Sequence, residues 1–330
     1  MVAFFNNSDR LFDVFANGRK EIIQDKFQLH PEVITSDNFE EQVPKLQNLE
    51  IIYSTWGMPL LNDEQIKRLP NLKCVMYAAG SVKNFAEPFL NNGIRVVSAA
   101  ESNSVPVAEF CLAQILLAAK GYFQNQKETK AIRNNDHFGG AHIGKGAYGE
   151  TVAFISVGKI TKCTIDLLKA FNFNKVAVSH SLSDEYCSEN EIAKISMEEA
   201  FSQAYIVSNH LPDREDNKGV INYKLLSSMR RGATFINTGR GAQVNENDLI
   251  RVMKERPDLC ALIDVTDPEP ADPKSELFDL PNIYITSHLA GSVNDEYVRM
   301  ADFVIEQTER LISKQDLRGE VTLEDLQFLA

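Results

Sequence analysis

Tryptophan occurs once in the 330 residues, at Trp56, and cysteine five times, at Cys74, Cys111, Cys163, Cys187 and Cys260, with no CxxC pair. Such spacing offers neither the ligand pattern of a zinc site nor a disulfide framework, so no metal is expected. An odd number of thiols in apolar runs suits a reducing compartment. Positive charge is also scarce: 34 Lys and Arg against 46 Asp and Glu leave a net charge of −12. A chain this acidic repels nucleic-acid phosphates, and an anionic small molecule would need local cations to hold it. No apolar run reads as a membrane span. The start, MVAFFNNSDRLF, turns polar too soon for a secretory signal. The expectation is a cytoplasmic protein with neither a nucleic-acid nor a membrane partner.

What is present is an ordinary globular composition, 44% hydrophobic and 24% charged, in a chain long enough for two domains. VAFF, EIIYST, LKCVMYAAG and IRVVSAA are brief, β-branched and closed by polar or small residues, as buried strands are. Val105–Gly121, with a proline near its start and a glycine at its end, predicts a buried helix. Asn125–Gly149 is polar, then glycine-rich, and reads as a crossover between domains. A second series follows: TVAFISVG, NKVAVSH, AYIVSNH, GATFINTG, CALIDVT and NIYITSH. Six strands with helices between them predict a doubly wound dinucleotide-binding sheet. The expected architecture is α/β, with two doubly wound parallel-sheet domains. Residues 1–104 and 298–330 would form the first, and residues 105–297 the second.

The stretch from Ile236 to Ser292 carries the chemistry. Arg240 follows ATFIN, Asp264 and Glu269 follow CALI, and His288 follows IYITS. Ligands of an open parallel sheet bind outside the carboxyl ends of its strands, so a guanidinium, carboxylates and an imidazole would meet in one crevice.

After TVAFI, the place of a GxGxxG fingerprint is taken by Ser156-Val157-Gly158-Lys159-Ile160-Thr161. Only the middle glycine, Gly158, remains to let the backbone approach a pyrophosphate. Ser156 would have to make the tight turn, and Thr161 is expected to hold helix and strand slightly apart. At the end of the next strand, VAVSHS puts Ser179, His180 and Ser181 where a ribose-binding carboxylate is usual. NADP thus becomes as admissible as NAD, but no arginine lies nearby and Asp184 and Glu185 follow, so the choice stays open.

From Leu72 to Met300 the chain resembles the D-isomer-specific 2-hydroxyacid dehydrogenases, a family that includes glyoxylate/hydroxypyruvate reductases and 3-phosphoglycerate dehydrogenases. The words that carry the resemblance are YAAGSVKNF, NSVPVAEF, NHLP, LLSSMRRGATFINTGRGAQVNENDLI, LIDVTDPEP and LPNIYITSHLAGS. It implies a flavodoxin-like substrate domain and a Rossmann nucleotide-binding domain. It also implies that Arg240 binds the substrate carboxylate and polarises the reacting carbonyl, a task suited to a planar cation with paired donors. His288 would exchange the proton, since imidazole titrates near neutrality. Glu269 would bond to that ring and favour its proton-donating form.

Further along the same resemblance, Asp264 would accept from the nicotinamide carboxamide, and Thr238 belongs to the cofactor-binding set. His210 in NHLP would lie over the ring as a positioning group. Lys159 and Ile160 open the helix at the phosphates. Backbone N–H groups at Ala79, Gly80 and Ser81 would form a small anion nest for the substrate carboxylate, or Gly80 is a simple turn glycine. Trp56 would wall the substrate side chain or pack the domain edge. Asn103 and Glu109 are expected near the cleft, and Lys83 is the cation available to a phosphorylated substrate. The implied activity is NAD(P)-dependent reduction of a small 2-keto acid by a homodimer. The alternative is a family member that binds a ligand or partner without turnover.

Overall fold

The computed structural model describes residues 1–133 and 144–327, and the chain divides into two compact units, Met1–Ser104 with Ser292–Ala330, and Val105–Gly291. The return to the first unit comes at Ser292, earlier than the 298 expected. The Ser292 hydroxyl donates to Asn103 Oδ1 at 3.1 Å, and Asn17 donates to Asp295 at 3.2 Å, so this stretch is already tied into the first unit. The polar stretch read as a crossover lies inside the second unit. It begins as the helix Tyr122–Ile132, and residues 134–143 fall outside the described residues. The boundary instead falls within the helix Ala100–Ala119, two residues before Pro106.

In the first unit, β1 (Val2–Phe4), β2 (Ile51–Ser54), β3 (Cys74–Tyr77) and β4 (Arg95–Ser98) pair in parallel in that order. Outside β1, bridges join Val2 to Leu29 and Phe5 to Ile34, also in parallel. The segment that follows β1 in sequence thus flanks it in space, which is the flavodoxin-like winding. Near-complete burial of these strands on both faces explains why they read as unbroken apolar runs.

The second unit holds a seven-stranded, all-parallel sheet. Its strands are β5 (Tyr148–Ile155), β6 (Asn172–Val178), β7 (Ile192–Lys194), β8 (Ile206–Asn209), β9 (Thr234–Asn237), β10 (Cys260–Ile263) and β11 (Ile283–Ile285). The spatial order β11-β10-β9-β8-β5-β6-β7 reverses direction between β5 and β8. That is the Rossmann switch point, where a crevice opens at the strand ends. Six of these strands match the sequence expectation. The seventh, β7, is a three-residue edge strand with one buried position, too short and polar to announce itself. β12 (Glu320–Val321) pairs antiparallel with β4 and completes the first unit's sheet.

The helix expected at Val105 begins at Ala100 and is less enclosed than expected. By length and composition alone it could cross a membrane, yet 44% of its apolar window is buried within the fold.

Candidate active site

The fingerprint loop follows β5. Ser156 adopts φ +74°, the left-handed conformation usually left to glycine, so the turn forms despite the substitution. Thr161 braces the turn. Its side chain is fully buried and its hydroxyl donates to the Ser156 carbonyl at 3.0 Å, tying the helix to the turn. Gly158 precedes the helix Lys159–Leu168; among the described residues its first turn has no side-chain cap, and a Cβ placed on Gly158 would meet nothing within 4 Å. An open space at free helical N–H groups fits a pyrophosphate. Lys159 is exposed at this helix start, while Ile160 packs with Val107, Cys111 and Ala290. His180 is exposed just beyond β6, between Ser179 and Ser181, whose hydroxyls lie 3.4 Å apart.

At the end of β8, His210 pairs through Nε2 with the Ser208 hydroxyl at 2.8 Å. Its Nδ1 is buried without a partner among the described residues, and burial pushes its pKa down to about 4, so the ring is neutral near pH 7. Beside it, Thr238 Oγ1 lies 3.4 Å from Cys111 Sγ, and burial pushes that thiol up to about 11.

β9, β10 and β11 are neighbours, and their loops carry the three expected groups. Arg240 donates from Nη1 to the Gly239 carbonyl at 2.8 Å and is partly buried. Gly241 is required: a Cβ there would lie 2.0 Å from the backbone carbon of Thr266. The loop bearing Arg240 therefore presses directly on the loop after β10. His288 Nδ1 and Glu269 Oε1 are 2.7 Å apart, and both side chains remain accessible, at 46% and 41%. His288 itself sits at φ +56°.

Asp264 is held by the protein itself. Its carboxylate is almost fully buried and is engaged within the protein. It accepts from the Thr286 hydroxyl, from Leu289 N at 2.9 Å and from Ala290 N at 3.0 Å, while its carbonyl accepts from His288 N. Asp264 thus shapes the turn that presents His288.

In the first unit, Ala79, Gly80 and Ser81 follow β3. Ser98 Oγ donates to the carbonyls of Gly80, at 2.5 Å, and Ala79, at 3.2 Å, drawing those oxygens toward the sheet. A Cβ on Gly80 would come no nearer than 3.5 Å, to Asn103, so the protein alone does not demand glycine there. Trp56 packs edge-on against Tyr297 at 5.9 Å, and its carbonyl accepts from Asn6 and Ser8. Glu109 is exposed on the long helix. Among the described residues, no group of three or more His, Cys, Asp or Glu could hold a metal.

Sequence reasoning missed Asn209, Asn237 and Gln243, three buried amides beneath the Arg240 loop. Each asparagine ends an apolar strand, where it reads as an ordinary turn residue. Nothing in the linear pattern shows that they meet.

Fold and site define a class: a two-unit α/β protein whose second unit is a Rossmann dinucleotide-binding domain. A family profile described as the NAD binding domain of D-isomer specific 2-hydroxyacid dehydrogenase matches residues 112–290, just over half of the chain. The chain belongs to that family. It is 26% identical over 293 residues to a D-3-phosphoglycerate dehydrogenase of Methanocaldococcus jannaschii, covering 88% of this chain and 54% of the relative. A glyoxylate reductase of Aeropyrum pernix is 26% identical, covering 84% of this chain and 82% of its own. The chain spans about half the length of the phosphoglycerate dehydrogenases it matches. A solved phosphoglycerate oxidoreductase from Rhizobium etli superposes with a TM-score of 0.82 at 19% identity, covering 98% of each chain. The NAD-complexed D-isomer specific 2-hydroxyacid dehydrogenase of Lactobacillus delbrueckii ssp. bulgaricus gives 0.77 at 17%, covering 97% and 99%. At these identities the likeness is one of fold.

Proposed function

We propose that the protein is an NAD(P)-dependent 2-hydroxyacid dehydrogenase that works mainly as a reductase of small 2-keto acids. The observation that carries this reading is the Glu269–His288 pair, 2.7 Å apart and accessible, one strand away from the Arg240 loop. Nicotinamide, when bound, supplies or accepts the hydride at C2 of the substrate. The protein supplies the rest. Glu269 holds His288 by Nδ1, which fixes the ring's orientation and leaves Nε2 to give or take the proton on the C2 oxygen. Arg240 holds the substrate carboxylate in a planar, two-donor grip. Gly158, Lys159 and Ile160 receive the pyrophosphate, and Thr238 and the neutral His210 border the nicotinamide. Asp264 keeps one acceptor position on Oδ2 for the carboxamide beyond its hold on the His288 turn.

Half-buried Ser179 and exposed His180 and Ser181 offer a ribose site without a carboxylate, so both NAD and NADP belong in the test. A homodimer in a reducing, cytoplasmic setting completes the reading.

The second reading, a family member that binds without turnover, draws on the degenerate fingerprint. The Ser156 turn, the Thr161 hydrogen bond and the open Gly158 weigh against it, because they keep the loop's geometry. The experiment is a panel of glyoxylate, hydroxypyruvate, pyruvate and bulkier 2-keto acids with NADH and NADPH, followed by absorbance and nicotinamide fluorescence. Dinucleotide-dependent reduction of one acid supports the enzyme. Micromolar binding of a dinucleotide with no acid reduced would leave the second reading.

A further inference from the structure

Beneath Arg240 lies a closed network of side-chain amides. Asn209, at the end of β8, donates from Nδ2 to Asn237 Oδ1 at 2.9 Å and to Gln243 Oε1 at 2.6 Å. Asn237, at the end of β9, also accepts from Gly239 N and donates to the Arg240 carbonyl at 3.3 Å. Gln243 Oε1 accepts from Arg240 N at 3.2 Å, and its Nε2 donates to the carbonyls of Leu211 at 2.7 Å and Pro212 at 3.0 Å. All three side chains are at most 2% exposed. Both peptide groups of Arg240 are therefore held by side-chain amides, and the same glutamine grips the loop that begins at His210.

We propose that Gln243 and Asn209 are positioning residues that lock the Arg240 loop to the His210–Pro212 loop, so that the group that receives the substrate carboxylate and the segment beside the nicotinamide keep one fixed geometry. This rests on the proposed dehydrogenase function, because the benefit is orientation of the acid against the ring. The physical reason is satisfaction. Buried backbone donors and acceptors must find partners, and here they find only partners that hold them in one arrangement. A fixed guanidinium loses less geometry on binding than one that must be ordered by substrate.

The test compares Gln243→Met, Asn209→Leu and the double variant with the wild-type chain. Amide hydrogen exchange at Arg240 and Leu211 is measured beside steady-state kinetics and dinucleotide titration. In Gln243→Met the Arg240 amide is expected to exchange about a hundredfold faster. KM for the keto acid should rise about tenfold, kcat should fall less, and dinucleotide affinity should stay within about threefold. The double variant still strips Arg240 N and the Leu211 and Pro212 carbonyls of their side-chain partners, so it is expected to be no more stable than Gln243→Met. It should keep the raised KM and the fast Arg240 exchange. Should Gln243→Met not fold, Asn209→Leu answers instead, through faster exchange at Leu211, whose N–H loses the Asn209 Oδ1 acceptor.

A wild-type KM in the double variant would overturn the proposal, as would unchanged Arg240 exchange in Gln243→Met or unchanged Leu211 exchange in Asn209→Leu. So would a deprotected Arg240 amide with an unchanged KM. Should the wild-type chain reduce no keto acid, the dehydrogenase reading fails, and the exchange rates alone decide whether the amides lock the two loops.

Discussion

At the scale of single residues, the site depends on side chains that are absent as much as on those present. Gly241 leaves room for the Thr266 backbone, and a methyl group there would lie 2.0 Å from a carbonyl carbon that cannot swing aside. Gly241→Ala is expected to destabilise the protein by about 3 kcal/mol, as overpacking against backbone does. It should also raise KM for the acid through displacement of Arg240. Urea unfolding and steady-state kinetics on the purified variant check both.

His210 gives a pH signature. Its pKa falls to about 4 through burial, below the value of roughly 6.5 in an unfolded chain. A neutral ring is thus favoured in the fold. The stability it contributes is fully present above about pH 6.5 and is lost as pH falls toward 4, up to about 3 kcal/mol. Urea midpoints at pH 7 and pH 4.5 should fall less in His210→Asn than in the wild-type chain; equal falls would mean that His210 titrates normally.

At the scale of elements, the central strands were legible and the contacts made between their ends were not. The central strands are buried on both faces, so their apolar runs stood out, whereas the edge strand β7, with a single buried position, left no pattern. The loops that carry Arg240, Glu269 and His288 were legible because each follows an apolar strand inside a recognisable word. Asn209, Asn237 and Gln243 were not, because their partners lie 28 to 34 residues away and come together only when the sheet forms. The Thr161 brace was illegible for a similar reason: side-chain bulk was visible in the sequence, but the carbonyl that its hydroxyl would reach was not. Replacing Thr161 by Val keeps the volume and removes the bond to Ser156. The expected cost is about 1–2 kcal/mol of stability, as for a buried hydrogen bond whose partner is left alone. Dinucleotide affinity should weaken as well, since the fingerprint turn loses its brace. Thermal melts and fluorescence titration of the variant decide this.

At the scale of the whole molecule, a net charge of −12 means that recognition of an acid must be local. In the proposed function Arg240, at a strand end, supplies that locality. A dinucleotide that binds only the folded chain should stabilise it by about 3 kcal/mol at a hundredfold excess over Kd. The added protection from hydrogen exchange should concentrate in Val105–Gly291, around the Ser156–Thr161 turn. Protection confined to Met1–Ser104 would contradict the placement of the nucleotide.

The central claim is that His288, held by Glu269, moves the proton. The most direct measurement compares His288→Ala with the wild-type chain on the best 2-keto acid, with the preferred dinucleotide saturating. The expected result is a fall in kcat of about a hundredfold to ten-thousandfold, with dinucleotide Kd unchanged. A variant that reduces the acid as fast as the wild-type chain would contradict the claim.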